Sequence, residues 1–243
     1  MQTVSTFDQF LPSLESDVAL VAKGEVFPFA VPPPDLAAVV DQARQHDKVR
    51  IASGRRSRVL HDCLEEPEAD FRALPLEQAV EAPIHMSIFD LGSMRQPGGA
   101  LHDIIEQVYL PLVGHWRQAG LGWKRVYPIL FLSGPGCSTN YHWDPSSVLI
   151  VQLHGRKRFH SLKEPQRWCG EAVLAQAHDG MVRPEALTPD DILTCELTPG
   201  DAVWSPCRAP HWVDAYDETA FTLSIGFTDI TPTRAGDAEM TVD

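Results

Sequence analysis

STNYHWDPSSVLIVQLHGRKRFHSL, residues 138–162, decides how this chain is read. The runs "SVLIVQL" and "KRFHSL" have strand composition, and the His154-Gly155 pair between them predicts a hairpin turn, because Gly adopts positive φ without strain. Two features are foreign to a purely structural hairpin. His142 and Asp144 stand two residues apart, so on a strand they share one face. Lys157 shares its face with Phe159 and Ser161, and an ammonium buried beside Phe159 is costly unless an anion meets it. Arg156, Arg158 and His160 take the opposite face, toward water.

Further along, "LTPGDAVWSPCRAPHWVDA" holds a Pro-Gly turn, a short strand and then His211. His142, Asp144 and His211 together have the composition of a two-histidine, one-carboxylate facial triad, which leaves positions open on Fe(II) for substrate and oxygen. Zn(II) also accepts this donor set. Spacing adds weight. Gly136 lies six residues before His142, Gly200 lies six before Pro206, and four residues separate Pro206 from His211. Both resemble cupin motifs, with two departures: Arg208 stands where the second motif usually has Gly, and the downstream acidic residue of the first motif is missing.

Length and composition set the frame. The 243 residues suit one large domain, or one domain with an appendage, and 44 % are hydrophobic, enough for a substantial core. No run approaches the roughly 20 apolar residues of a membrane helix. The segment "MQTVSTFDQF" lacks the basic and apolar regions of a signal peptide. A net charge of -13 argues against a nucleic-acid partner and favours a small-molecule site or a basic partner. The five cysteines form no CxxC pair and suit reduced thiols in a cytoplasm.

The chain divides at residue 124. From there, "RVYPILFLS", "SVLIVQL", "KRFHSL", "DILTCEL", "DAVWSP", "HWVDA" and "FTLSIGF" are strand-like runs separated by turn signals, the pattern of a sandwich or barrel, interrupted by a polar insertion at 164–186. Before it, "DVALVAK", "KVRIAS" and "IHMSIFDL" predict strands. "DLAAVVDQARQHD" predicts a helix facing inward at Leu36, Val39, Val40 and Ala43, and "PLEQAVEA" a short one. Residues 54–70 and 92–99 predict loops. "ALHDIIEQVYLPLVGHWRQAG" predicts a long helix kinked at Pro111. The expected organisation is a mixed α/β segment over 1–83 packed on a β-rich core over 84–232, then a short tail at 233–243. His46, His61, His102, His115 and His178 fall in helical or loop contexts and read as surface or partly buried groups. His85 stands in a strand and is a candidate pocket residue. Trp143, Trp204 and Trp212 flank the candidate ligands and read first as packing residues.

Taken together, the region 124–229 resembles the JmjC and cupin-like Fe(II)/2-oxoglutarate oxygenases, in particular the asparaginyl-hydroxylase-like branch. The resemblance is carried by Thr139, "HWD" at 142–144, "VQLHGRKRF" at 151–159, "PGDAVWSP" at 199–206, His211 and "TLSIGF" at 222–227. It implies a double-stranded β-helix core, a mainly β fold with N-terminal helical and mixed elements. It implies that His142, Asp144 and His211 bind Fe(II), and that Lys157, two residues beyond a strand-ending Gly, and Thr139 bind the distal carboxylate of the cosubstrate 2-oxoglutarate. With O2, the implied reaction is hydroxylation of a protein side chain, peptide or small molecule. In related halogenases a small residue replaces the carboxylate, so Asp144 favours hydroxylation. A metal-dependent cupin acting as an isomerase or as a dioxygenase without 2-oxoglutarate would leave Lys157 without a role. A non-catalytic cupin-like sensor or interaction module would tolerate loss of the triad. Only 16 residues follow "TLSIGF", so the C-terminal dimerisation domain of some relatives is not expected.

Overall fold

The computed structural model describes residues 1–53, 65–169, 183–233 and 241–242. In chain order the elements are β1 (Gln2–Val4), α1 (Phe7–Phe10), β2 (Leu20–Ala22), α2 (Leu36–Gln45), β3 (Val49–Ser53), α3 (Glu65–Ala73), α4 (Leu76–Val80), β4 (Ile84–Ile88), α5 (His102–Ile104), a π-helical stretch (Ile105–Tyr109), α6 (Leu110–Gln118), β5 (Leu121–Gly122), β6 (Arg125–Ser133), β7 (Ser147–His154), β8 (Lys157–Leu162), α7 (Pro165–Trp168), β9 (Ile192–Leu197), β10 (Ala202–Ser205), β11 (His211–Ala215), β12 (Ala220–Thr228), β13 (Thr231–Pro232) and β14 (Thr241–Val242).

Two sheets make the core. The larger runs β1-β2-β10-β7-β12-β6-β4-β3, with β14 also pairing β6; the smaller runs β11-β8-β9. Val148 and Ile150 of β7 and Val203 of β10 pack against Phe159 of β8 and Leu197 of β9, which places the sheets face to face. The fold is mainly β: two facing sheets, as the strand pattern predicts, in the double-stranded β-helix arrangement that the resemblance implies. Strand alternation explains the layering. In β12, Phe221, Leu223, Ile225 and Phe227 join the large apolar cluster with Phe10, Leu112 and Trp116 on the helical side. The intervening residues Thr222, Ser224 and Gly226 face the other way, into the space between the sheets. Trp116 stacks on Phe227 with ring centroids 4.9 Å apart and donates its indole N–H to Val26 O at 2.8 Å, which ties the helical layer to the N-terminal segment. Trp204 lies in the same layer against Phe10.

The helices follow their expected local chemistry. Asp35 caps α2 by accepting from Ala38 N at 3.1 Å. Pro111 lacks an N–H and would clash with the carbonyl one turn earlier. The helix widens there into the π stretch, with Leu110 N bonded to Ile105 O five residues back. The predicted kink is therefore a π-bulge.

Three expectations need correction. First, β7 and β8 are not a hairpin. β7 pairs with β10 and β12, whereas β8 pairs with β9 and β11. The turn at Gly155 carries the chain from one sheet to the other. Gly is required there: φ is 63°, and a Cβ would stand 2.5 Å from Thr219 O and 2.9 Å from Ala220 Cβ. Second, residues 65–70, expected as loop, belong to α3; its charged sequence has weak apolar periodicity, so the helix was not visible in the pattern. Third, "HWD" is not inside a strand. His142 sits in an isolated β-bridge, and 143–144 have no regular structure. The expected histidine positions His61 and His178, and most of the polar insertion, lie outside the described residues.

Candidate metal and ligand site

Residues 137–142 run antiparallel to β11 as an irregular fourth strand of the small sheet. Ala215 N donates to Cys137 O (2.7 Å), Thr139 N to Val213 O (2.8 Å), and His142 and His211 exchange both backbone bonds (3.0 and 2.7 Å). The bridges pair Ser138 with Asp214 and His142 with His211. Four steps on one side thus match three on the other, a one-residue bulge. The bulge sets the phase of the site. Cys137 faces inward beside Lys157, so strict alternation would also turn Tyr141 inward and His142 outward. Instead Tyr141 packs in the outer cluster with Trp143 and Trp212, and His142 stands beside His211. Thr139 closes the gap in the ladder: its Oγ1 accepts from Val213 N at 2.8 Å, leaving its hydroxyl proton for another partner.

The three predicted ligands converge. One donor atom each from His142, Asp144 and His211 lie within 4.8 Å of one another, and they are the group of this kind found among the described residues. The imidazole centroids are 4.2 Å apart, and His211 Nε2 is 3.6 Å from Asp144 Oδ2. Each ring is oriented by its own backbone: His142 Nδ1 bonds Asn140 O at 2.7 Å and His211 Nδ1 bonds Ala209 O at 3.0 Å. A carbonyl can only accept, so each Nδ1 carries the proton and each Nε2 presents a lone pair. Burial, then the neighbouring His142, pushes the His211 imidazole down to about 4, which keeps it neutral at physiological pH. This donor set and orientation fit a divalent cation. Asp144 is 34 % exposed while His211 is buried, so the site opens to solvent on the Asp144 side.

Arg208 explains one motif departure. Its φ is 63°, the left-handed region where Gly is favoured, and its N–H donates to Asp144 O at 2.9 Å. Arg208 thus holds a conformation suited to the motif's usual Gly, and its guanidinium lies over the Trp143 ring.

Lys157 points inward as the strand alternation predicts. It is 2 % exposed, and Nζ donates to Phe131 O at 3.2 Å. Among the described residues no carboxylate lies within ion-pair distance. Burial pushes its pKa down to about 7, with a small opposing effect from Cys137. The wall it faces is polar: register across β7, β12, β6 and β4 places Gln152, Thr222, Phe131 and Ser87 in one row, with Ser133 and His85 paired in the next. His85 bonds Ser133 Oγ through Nδ1 at 3.1 Å and stacks on Phe131. It therefore lies beside Phe131, whose carbonyl meets Lys157. The period-2 polar positions His85 and Ser87 in an otherwise apolar strand were the signal available in the sequence.

Residues 125–234, a little under half the chain, match the family model described as the JmjC domain. All three candidate metal ligands, Thr139 and Lys157 fall within the JmjC match, whereas His85 lies before it. Among solved structures, the chain is similar to the Escherichia coli ribosomal oxygenase YcfD in complex with cobalt and 2-oxoglutarate, at 18 % identity and a TM-score of 0.57, over 98 % of this chain and 54 % of that one. The YcfD complex with cobalt and succinic acid matches at 19 % identity and a TM-score of 0.52, over 98 % and 53 %. A further YcfD crystal structure matches at 18 % and 0.51, over 98 % and 54 %. At this identity the likeness shows a shared fold, and the chain spans about half the length of these structures. No curated protein sequence matches the chain. No helix among the described residues is long and apolar enough to cross a membrane.

Proposed function

We propose that this protein is an Fe(II)/2-oxoglutarate-dependent dioxygenase that hydroxylates a protein side chain. The observations that carry the reading are two different binding elements, which we read as the ends of one chamber between the sheets: three converging ligand atoms, and the buried Lys157, whose face neighbour Phe159 stacks on His211. A cupin without 2-oxoglutarate needs the first and has no use for the second.

His142, Asp144 and His211 would hold Fe(II), with the two neutral Nε2 atoms and one carboxylate occupying one face of the ion. Lys157 would meet the distal carboxylate of 2-oxoglutarate, and the free hydroxyl proton of Thr139 is suited to the same anion. Iron, 2-oxoglutarate and O2, when bound, supply oxidative decarboxylation coupled to oxygen insertion into a C–H bond. The chain's own contribution is position: fixed imidazole tautomers, a dry cation at one end and an approach for substrate on the exposed Asp144 side. The similarity to structures of a ribosomal oxygenase supports a polypeptide substrate. The net charge of -13 favours one that is neutral or basic near its reactive residue. Cys137, Cys169, Cys195 and Cys207 are free thiols, which fits a reducing compartment such as the cytoplasm.

The test is O2-dependent conversion of 2-oxoglutarate to succinate by the iron-loaded protein, against a panel of ribosomal polypeptides and unrelated peptides, with mass spectrometry for an added oxygen atom. Absence of both 2-oxoglutarate binding and turnover would move the reading to a cupin without this cosubstrate.

A further inference from the structure

We infer that His85 is a further donor, beyond Lys157 and Thr139, to the distal carboxylate, and so a specificity-determining residue for a dicarboxylate cosubstrate. The inference rests on the proposed use of 2-oxoglutarate.

The argument begins with the hydrogen-bond inventory. Ser133 is 3 % exposed, and the His85 ring is the partner its hydroxyl finds, at 3.1 Å. A serine hydroxyl this buried places its proton on an acceptor, and Nδ1 of a neutral imidazole is one. Burial, then Lys157 and His142, pushes the His85 pKa down to about 3, so the ring is neutral under all ordinary conditions. A neutral ring with Nδ1 accepting carries its proton on Nε2. His85 thus presents an N–H donor at a place where its charge state does not change.

Position supplies the rest. His85 stacks on Phe131 with ring centroids 6.1 Å apart and planes 19° from parallel. The carbonyl of the same Phe131 accepts from Lys157 Nζ at 3.2 Å. The ring is therefore anchored twice, by Ser133 and by Phe131, next to the ammonium. Lys157 and His142 are both near enough to disfavour its protonation. An ammonium and an imidazole N–H, with no carboxylate of the protein between them among the described residues, suit an anion with more than one acceptor oxygen.

The experiment compares two ligands on Mn(II)-saturated protein by calorimetry, without turnover: 2-oxoglutarate, and a 2-oxo acid of similar length that lacks the distal carboxylate. His85→Ala should weaken 2-oxoglutarate roughly three- to tenfold, the worth of one neutral donor. It should leave the monocarboxylate and Mn(II) affinities within a factor of two or so. His85→Asn, which keeps an N–H donor, should recover part of the loss. Unchanged 2-oxoglutarate affinity in His85→Ala, with a clear loss in Lys157→Ala, overturns the role of His85 and spares the cosubstrate reading. Equal losses for both ligands also overturn it, because they mark general damage to the chamber. Failure of the unmodified protein to bind 2-oxoglutarate at all overturns the cosubstrate reading itself, and this inference with it.

Discussion

The affinity for 2-oxoglutarate should fall steeply with pH in a range where most enzymes bind carboxylates evenly. The perturbation is deprotonation of Lys157. Burial brings its pKa to about 7, from 10.5 in an exposed lysine. The two other titratable groups named as its neighbours do not change charge near neutrality: His85 is held at about 3 and the Cys137 thiol is raised to about 11. The distal carboxylate needs the ammonium form. Apparent affinity then scales with the protonated fraction, which falls from about nine-tenths at pH 6 to about one-thirtieth at pH 8.5 for a group titrating near 7. The apparent Kd should rise about thirtyfold over that interval, equivalent to about 2 kcal/mol. Calorimetry on protein kept saturated with Mn(II) at each pH measures it, and repeating the titration in buffers of different ionisation enthalpy should reveal proton uptake above neutrality. Lys157→Ala should bind roughly ten- to hundredfold more weakly at pH 6, the value of a charge-assisted bond, and should lose the pH dependence. A wild-type Kd that stays flat from pH 6 to 8.5, together with a Lys157→Ala variant of full affinity, would refute the assignment of Lys157 as the carboxylate partner.

The same lysine predicts a stability effect. Its folded pKa lies below its unfolded one, so the unfolded chain holds more protons between about pH 7 and 10.5. Stability should therefore rise with pH through that window by up to about 1.4 kcal/mol per unit from this group, its destabilising effect being fully present below pH 7. Chemical denaturation across the window should show the slope in the ligand-free protein and lose it in Lys157→Met. His142→Ala and His211→Ala should each abolish tight Fe(II) binding by anaerobic titration with metal analysis. Asp144→Gly should keep the far-ultraviolet circular dichroism of the parent and yield no hydroxylated product; normal hydroxylation by that variant would exclude Asp144 as a required ligand. Gly155→Ala should cost roughly 2–5 kcal/mol, combining a left-handed φ with contact against backbone at 2.5 Å, whereas Arg208→Gly should change stability by less than about 1 kcal/mol because the backbone there already suits Gly. Thermal melts of the two variants side by side check the contrast.

Much of this protein was settled by residue type and local spacing. The strands from Arg125 to Thr228 were legible because period-2 alternation and Gly/Pro punctuation are properties of adjacent residues. The inward direction of Lys157 followed from Phe159 and Ser161 on the same face, and the ligand types at 142, 144 and 211 were chosen by their chemistry. What the local pattern lacked was the identity of partners far along the chain. The run through Gly155 reads as a hairpin because a hairpin and a step between two sheets use the same turn residues. Only the burial of β7 against β10 and β12, and of β8 against β9 and β11, separates them. The bulge at 138–142 is likewise absent from the pattern, since alternation alone would have turned His142 away from His211; the inserted residue is tolerated because Thr139 replaces the missing ladder bond with its side chain. His85 came to lie beside Ser133 and Phe131 through the pairing of β4 with β6, a non-local choice made by which faces exclude water. The sequence by itself determined which candidate groups this chain has for a metal and an anion. The tertiary structure decided that the three candidate ligands converge and that Lys157 is buried against Phe131 of the facing sheet, because register and sheet exchange are fixed by the burial of whole faces.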